Sequence, residues 1–248
     1  LETMRARTGH ILVRPLIEGR DFGWFLLDTG AGAMVIDPKV ADELQMPAMG
    51  EVTVMGVGGA VVSRFRVGKE FALGPLSFSD VTYVECDLGP PSAIMRVPLA
   101  GIVGYDVFAR AVVEFDMATP EVRIHDPAGY ELQDARWQEL YFSRKHPVIE
   151  SEFEGNRRGY FVLDTGSNAR LGFYPAGVER FDLLNGRTTR TGRAGGFSGQ
   201  TITFRAGRVE WFRLGENVID NPGASFHTER QGFTADEHMT GIIGGGLL

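Results

Sequence analysis

Apolar residues in this chain fall in short runs, alternating with polar ones or clustered, and glycine-rich polar turns break them up. That is the pattern of β-strands. Residues 24–27 (Trp-Phe-Leu-Leu) and 160–163 (Tyr-Phe-Val-Leu) each follow a strand-like stretch and a polar glycine turn. The turns are Glu18-Gly19-Arg20-Asp21-Phe22-Gly23 and Glu154-Gly155-Asn156-Arg157-Arg158-Gly159, so two β-hairpins are predicted. Further strands are expected over 65–73, 76–86, 201–214 and 217–219, and a hairpin pairs 112–116 with 121–125. Helical signals are few. Asp37 as N-cap and Pro38 at the first position predict a helix over 38–44, and a second short one is expected at 105–110. Residues 126–144 are polar and turn-rich and read as a connection anchored by Trp137.

The chain repeats itself. A shift of 136 residues lays His10 on His146, Glu18-Gly19 on Glu154-Gly155 and residues 24–27 on 160–163. Both runs then enter the same triplet, Asp28-Thr29-Gly30 and Asp164-Thr165-Gly166, followed by the small residues Ala31 and Ser167. A second landmark is a pair of β-rich arms about a glycine tip. One spans residues 52–62 with Met55, Gly56, Val57, Gly58 and Gly59, the other 188–203 with Gly195, Gly196 and Phe197. Glycine at such a tip permits positive φ and leaves a thin arm. The third landmark is Gly101-Ile102-Val103-Gly104 against Gly241-Ile242-Ile243-Gly244, now 140 residues apart. Four inserted residues account for the drift, and surface loops absorb that easily. Copy two has no counterpart of the 112–125 hairpin.

At 248 residues the chain can form two lobes, with boundaries expected at 1–130, 131–145 (a connection) and 146–248. Thirty-three glycines suit a turn-rich, all-β protein. A net charge of −7 leaves no basic footprint for nucleic acid. Cys86 is alone, so no intrachain disulfide forms, and no apolar run approaches the ~20 residues that span a bilayer. The first residues lack a hydrophobic leader segment; a periplasmic or secreted location is favoured if one has been removed.

A strand that ends in a carboxylate, held by a Thr and released by a Gly, points an acid into a cleft, and two such strands can aim two acids at one point. Carboxylates at hydrogen-bonding distance share a proton, because like charges in a partly desolvated site repel. One can then take a proton from water while the other gives one to a carbonyl oxygen, so that an amide hydrolyses through a gem-diol without a metal, Ser or Cys nucleophile. A lone Asp-Thr-Gly is a common turn sequence. Two, behind matching apolar strands inside a three-landmark repeat, are a different matter.

These residues resemble those of the retropepsin/pepsin clan of aspartic proteases, nearest the bacterial aspartyl-protease-like domains, here as two retropepsin-like lobes fused in one chain. The likeness is carried by residues 25–32, 161–167, the flap-like 55–62, and the apolar-apolar-Gly segments 101–108 and 241–248. It implies an all-β, two-lobed acid-protease fold with the active cleft between lobes. Asp28 and Asp164 would form the dyad. Thr29 and Thr165 would interlock beneath them, and Gly30 and Gly166 would let backbone N–H groups approach. Residues 55–60 and 192–199 would close as flaps over a peptide or protein substrate, with substrate walls at 96–100 and 238–240. Gly245-Gly246 stands where copy one has Tyr105-Asp106, so the supporting helix of copy two is expected to be weak or absent. One chain holds both half-sites, so a monomer is expected.

Ser167 can donate a hydrogen bond to ionised Asp164, and Ala31 cannot do so for Asp28; Asp164 is therefore expected to be the more acidic partner. The five histidines show no ligand spacing, so no metal is expected, nor any other cofactor. Ser198 lacks the second glycine of a nucleophile elbow, and no helix or lysine follows Gly56–Gly59 to hold phosphate. Two other readings stand beside the endopeptidase: a catalytically silent relative that binds peptides or proteins, and a β-barrel small-ligand binder, which does not explain why both acids repeat.

Overall fold

The computed structural model describes residues 1–56, 59–133, 135–195 and 200–248. It is all-β in class, with two ten-stranded sheets, one two-stranded sheet and short helices of at most seven residues. The chain falls into two compact units, residues 1–54 with 61–137, and 55–60 with 138–248.

In unit 1 the predicted first hairpin forms but is broken. Ile11–Val13 pairs with Trp24–Leu27, and beyond Pro15 the ribbon continues as Leu16–Ile17 against Arg20–Asp21. Proline cannot donate to the ladder, and the strand kinks there. The hairpin of unit 2 has Ser151 at the equivalent position and runs unbroken, His146–Phe153 against Arg157–Asp164. Both turns place two residues at positive φ, Glu18 and Gly19 at 51° and 72°, Gly155 and Asn156 at 70° and 53°, which is the twist a tight hairpin requires.

The centre of each unit is the same four-strand arrangement. In unit 1, Leu99–Val103 lies parallel to Trp24–Leu27 and antiparallel to Met34–Ile36, which runs parallel to Leu76–Glu85. In unit 2, Gly241–Gly244 lies parallel to Arg157–Asp164 and antiparallel to Leu171–Phe173, which runs parallel to Gly223–Phe226. Unit 1 packs two apolar layers, one around Phe25, Leu27, Phe71 and Tyr83, the other around Leu12, Leu26, Met95 and Leu99. Unit 2 has a single aromatic core in which Phe153, Phe161, Phe173 and Phe212 meet edge to face.

The helix predicted after Asp37 spans Pro38–Glu43, with the Asp37 carboxylate accepting the Lys39 N–H at 3.0 Å. The expected helix at 105–110 is shorter, Tyr105–Phe108. Val112–Asp116 and Glu121–His125 pair as the predicted hairpin. Three helical elements were not predicted: helices Gly89–Met95 and Pro175–Arg180, and the 3-10 turn Gly232–Ala235. Trp137 is no anchor. It is 69% exposed, touching only the edge of Tyr130 among the ring contacts described.

Candidate active site

Asp28 leaves the buried strand Trp24–Leu27 with its N–H donating to Val103 O at 3.0 Å. Its carboxylate turns back onto its own loop, where Oδ1 accepts the Gly30 N–H at 2.8 Å. Asp164 ends the strand Arg157–Asp164, in register with Gly244. Each loop closes in the same way: Ala31 N–H to Asp28 O at 3.3 Å, and Ser167 N–H to Asp164 O at 3.2 Å. Each is then clasped by the segment after its central strand, with Tyr105 N–H on Ala31 O at 2.9 Å and Gly245 N–H on Ser167 O at 2.8 Å. Asp28, Thr29, Gly30 and Ala31 are half-buried, as are Asp164, Gly166 and Ser167, while Thr165 is buried.

The glycines of the third landmark are required by this packing. A Cβ on Gly104 would lie 2.2 Å from Ala33 O and 2.7 Å from Ala31 O; on Gly244, 2.3 Å from Ala169 O and 2.9 Å from Ser167 O. One turn earlier, a Cβ on Gly101 would meet the Phe25 ring at 2.0 Å and Val35 O at 2.5 Å, and one on Gly241 would meet Gly172 O at 1.9 Å. Only a residue without a side chain lets the central strand press this close to the loop that carries the acid.

The two sites differ in detail. The Ser167 hydroxyl oxygen accepts the Ala169 N–H at 3.3 Å within its own loop, a bond that Ala31 cannot offer in unit 1. Where unit 1 continues as the helix Tyr105–Phe108, the chain of unit 2 turns at 245–247 without a helix. Where unit 1 has Asp37 ahead of its helix, unit 2 has Tyr174, wholly buried, its phenol held well above the ordinary range by burial and then by the charges of Asp164 and Asp236. Proline at 175, matching Pro38 in the repeat, was the signal that could have found this helix and its cap residue.

Of the substrate-wall residues, Arg96 caps helix Gly89–Met95 at a left-handed φ of 58°. Thr240 is buried, and its Oγ1 accepts the Tyr160 N–H at 3.2 Å, a bolt within the sheet. The first flap stretch lies on the arms Ala48–Gly56 and Gly59–Leu73, with Met55 exposed, Gly56 buried and Gly59 half-buried. The second lies on Arg190–Gly195 paired to Thr201–Arg208, with Gly195 opposite Thr201. Val57, Gly58, Gly196 and Phe197 lie outside the described residues, as does Ser198. Among the described residues no three His, Cys, Asp or Glu side chains gather as a metal site, and no helix is long and apolar enough to cross a membrane.

Residues 13–107 match the aspartyl protease family. The matched span carries the Asp28 loop, the first flap arms and the Gly101–Gly104 strand, and the family is a retropepsin-like one. The resemblance of unit 1 is thereby borne out, and the all-β, two-lobed architecture accords with an aspartic protease fold. No curated protein matches the chain. Residues 138–248 lie beyond the matched span, and their likeness rests on the internal repeat and on the shared loop geometry above.

Proposed function

We propose that this aspartyl protease relative is an active endopeptidase in which Asp28 and Asp164 share one proton over an attacking water. The observation that supports the reading is the common construction of the two acid loops, the same carbonyl clasps and the same side-chain-free strand packed against each.

In this mechanism one carboxylate removes a proton from water as its oxygen bonds to the scissile carbonyl carbon, while the other carboxyl gives its proton to the carbonyl oxygen. The gem-diol then collapses, the C–N bond breaks, and the proton taken from water passes to the leaving amine. The Gly30 N–H on Asp28 Oδ1 stabilises the ionised form of that carboxylate and fixes its plane. Thr29 and Thr165 support the loops. The stretches at 55–59 and 195–197 cover an extended peptide, bound as an added strand. The lobes are 1–130 and 146–248, joined by 131–145, and one chain suffices for activity.

The silent reading has one observation on its side, the turn at 245–247 in place of a supporting helix. Cleavage of a peptide library from acidic to neutral pH separates the two. Asp28→Asn and Asp164→Asn should each lower kcat by roughly 10²–10⁴-fold. Full activity in either variant would overturn the dyad.

A further inference from the structure

The two flap-like hairpins carry opposite surface chemistry. In unit 1 both arginines of the arm Gly59–Leu73 are neutralised. Arg64 pairs with Glu85 at 2.8 Å, and Arg66 pairs with Glu85 and with Asp42. Among the large apolar side chains of that hairpin, Met49, Met55, Val61 and Val62 are exposed, beside polar Glu51, Thr53, Lys69 and Glu70.

In unit 2 the pattern inverts. Along Arg190–Gly195 and Thr201–Arg208 the exposed positions alternate, and Thr191, Arg193, Thr203 and Arg205 share the outward face, Thr191 opposite Arg205 and Arg193 opposite Thr203. The inward face holds Ile202 and Phe204, the latter against His227. Residues diagonal on one face of a strand pair lie roughly 7–8 Å apart, so Arg193 and Arg205 form one cationic patch. Among the described residues neither makes an ion pair. Arg205 is laid along the hairpin by neutral acceptors, Nε on Thr189 Oγ1 at 3.0 Å, Nη1 on Thr191 Oγ1 at 3.3 Å and Nη2 on Thr189 O at 3.5 Å. Those bonds fix its direction and leave its charge uncompensated. The acid that reaches this face is Glu229, 3.5 Å from Thr203 Oγ1 and also held by the Gln231 amide.

A pre-oriented guanidinium with a second arginine beside it is a receptor for carboxylates, since Arg presents a rigid donor fork that loses little freedom on pairing. In a chain of net charge −7 the patch also offers acidic polypeptides a local attraction. We propose that the outward face of the Arg190–Arg208 hairpin binds acidic segments of polypeptide substrates. The substrate part of this statement rests on the endopeptidase reading; the binding part does not.

The test uses fluorescence anisotropy with a labelled Glu-rich peptide and its Gln-for-Glu counterpart, against wild type and the Arg193→Gln/Arg205→Gln double variant. Both arginines are exposed, so the variant should keep its thermal midpoint. The acidic peptide should bind with an affinity that falls as salt rises, and the double variant should bind it at least tenfold more weakly. Equal affinity for the Gln peptide, or no loss in the double variant, overturns the proposal. A parallel cleavage assay keeps the two readings apart. Acidic substrates should lose kcat/KM in the double variant by a larger factor than neutral ones; an equal loss on both sets also overturns it. Binding of the acidic peptide with no cleavage of any peptide would uphold the patch and sink the endopeptidase.

Discussion

Gly104 and Gly244 occupy one position in two copies of the same loop, each with the place of its missing Cβ within 2.3 Å of a backbone carbonyl, Ala33 O in unit 1 and Ala169 O in unit 2. Backbone on both sides leaves nothing flexible to yield. Gly104→Ala and Gly244→Ala should therefore each destabilise their unit by about 3 kcal/mol or more, in the range of severe overpacking. Each should also displace the acid loop that the strand supports. Gly129→Ala is the control, since a Cβ there meets nothing within 4 Å, and it should stay within about 0.5 kcal/mol of wild type. Urea unfolding of the three variants measures this; a Gly104→Ala protein as stable as Gly129→Ala would contradict the packing argument.

The chain announced most of its strands, because hairpin arms such as Val112–Asp116 and Glu121–His125 carry both their apolar pattern and their turn residues locally. It announced both acids through the repeat. What it hid were pieces too short to show a period. Met34–Ile36 and Leu171–Phe173 are three residues each, and only their long-range partners make them strands. Gly89–Met95 begins Gly-Pro-Pro and has no side-chain cap, so its sequence reads as loop. Pro175–Arg180 follows Tyr174, which offers no capping oxygen to its first turn, whereas Asp37 made its counterpart visible. The Ser167 hydroxyl oxygen accepts the Ala169 N–H two residues on, a local loop bond of the kind short polar side chains make.

Arg66 is buried, and its guanidinium joins three elements of unit 1. It donates to Met46 O at 2.8 Å, to Asp42 Oδ1 at 2.6 Å and to Glu85. Removing it leaves Glu85, itself 12% exposed, as a buried charge whose remaining partner is Arg64. Arg66→Ala should cost about 3–5 kcal/mol. Adding Glu85→Gln to that variant should recover part of the loss, since the stranded charge goes with it. A double variant no more stable than the single one would show that the cost is packing rather than charge.

Ser151 offers a prediction of the opposite sign. It is 4% exposed, and its hydroxyl makes no hydrogen bond among the described residues. A buried, unbonded hydroxyl has lost its water without compensation. Ser151→Ala should thus leave unit 2 as stable as before or raise its stability by up to about 1 kcal/mol. A fall of that size in chemical denaturation would mean that the hydroxyl has a partner.

His227 should make the folded protein less stable in acid. It is 9% exposed, packed against Phe204 at 5.5 Å between ring centroids and 3.4 Å from Ser225 Oγ. Burial pushes its pKa down from 6.5 to about 4. The unfolded chain therefore takes up a proton on this residue near pH 6.5, while the folded chain resists until about pH 4. Above pH 6.5 the residue is neutral in both states and costs nothing. Between 6.5 and 4 stability falls with falling pH, because protons favour the unfolded state, and the loss amounts to about 3 kcal/mol in all. His227→Gln, which cannot take up that proton, should flatten the thermal midpoint against pH across this window. The same slope in the variant as in wild type would assign the acid sensitivity to other groups.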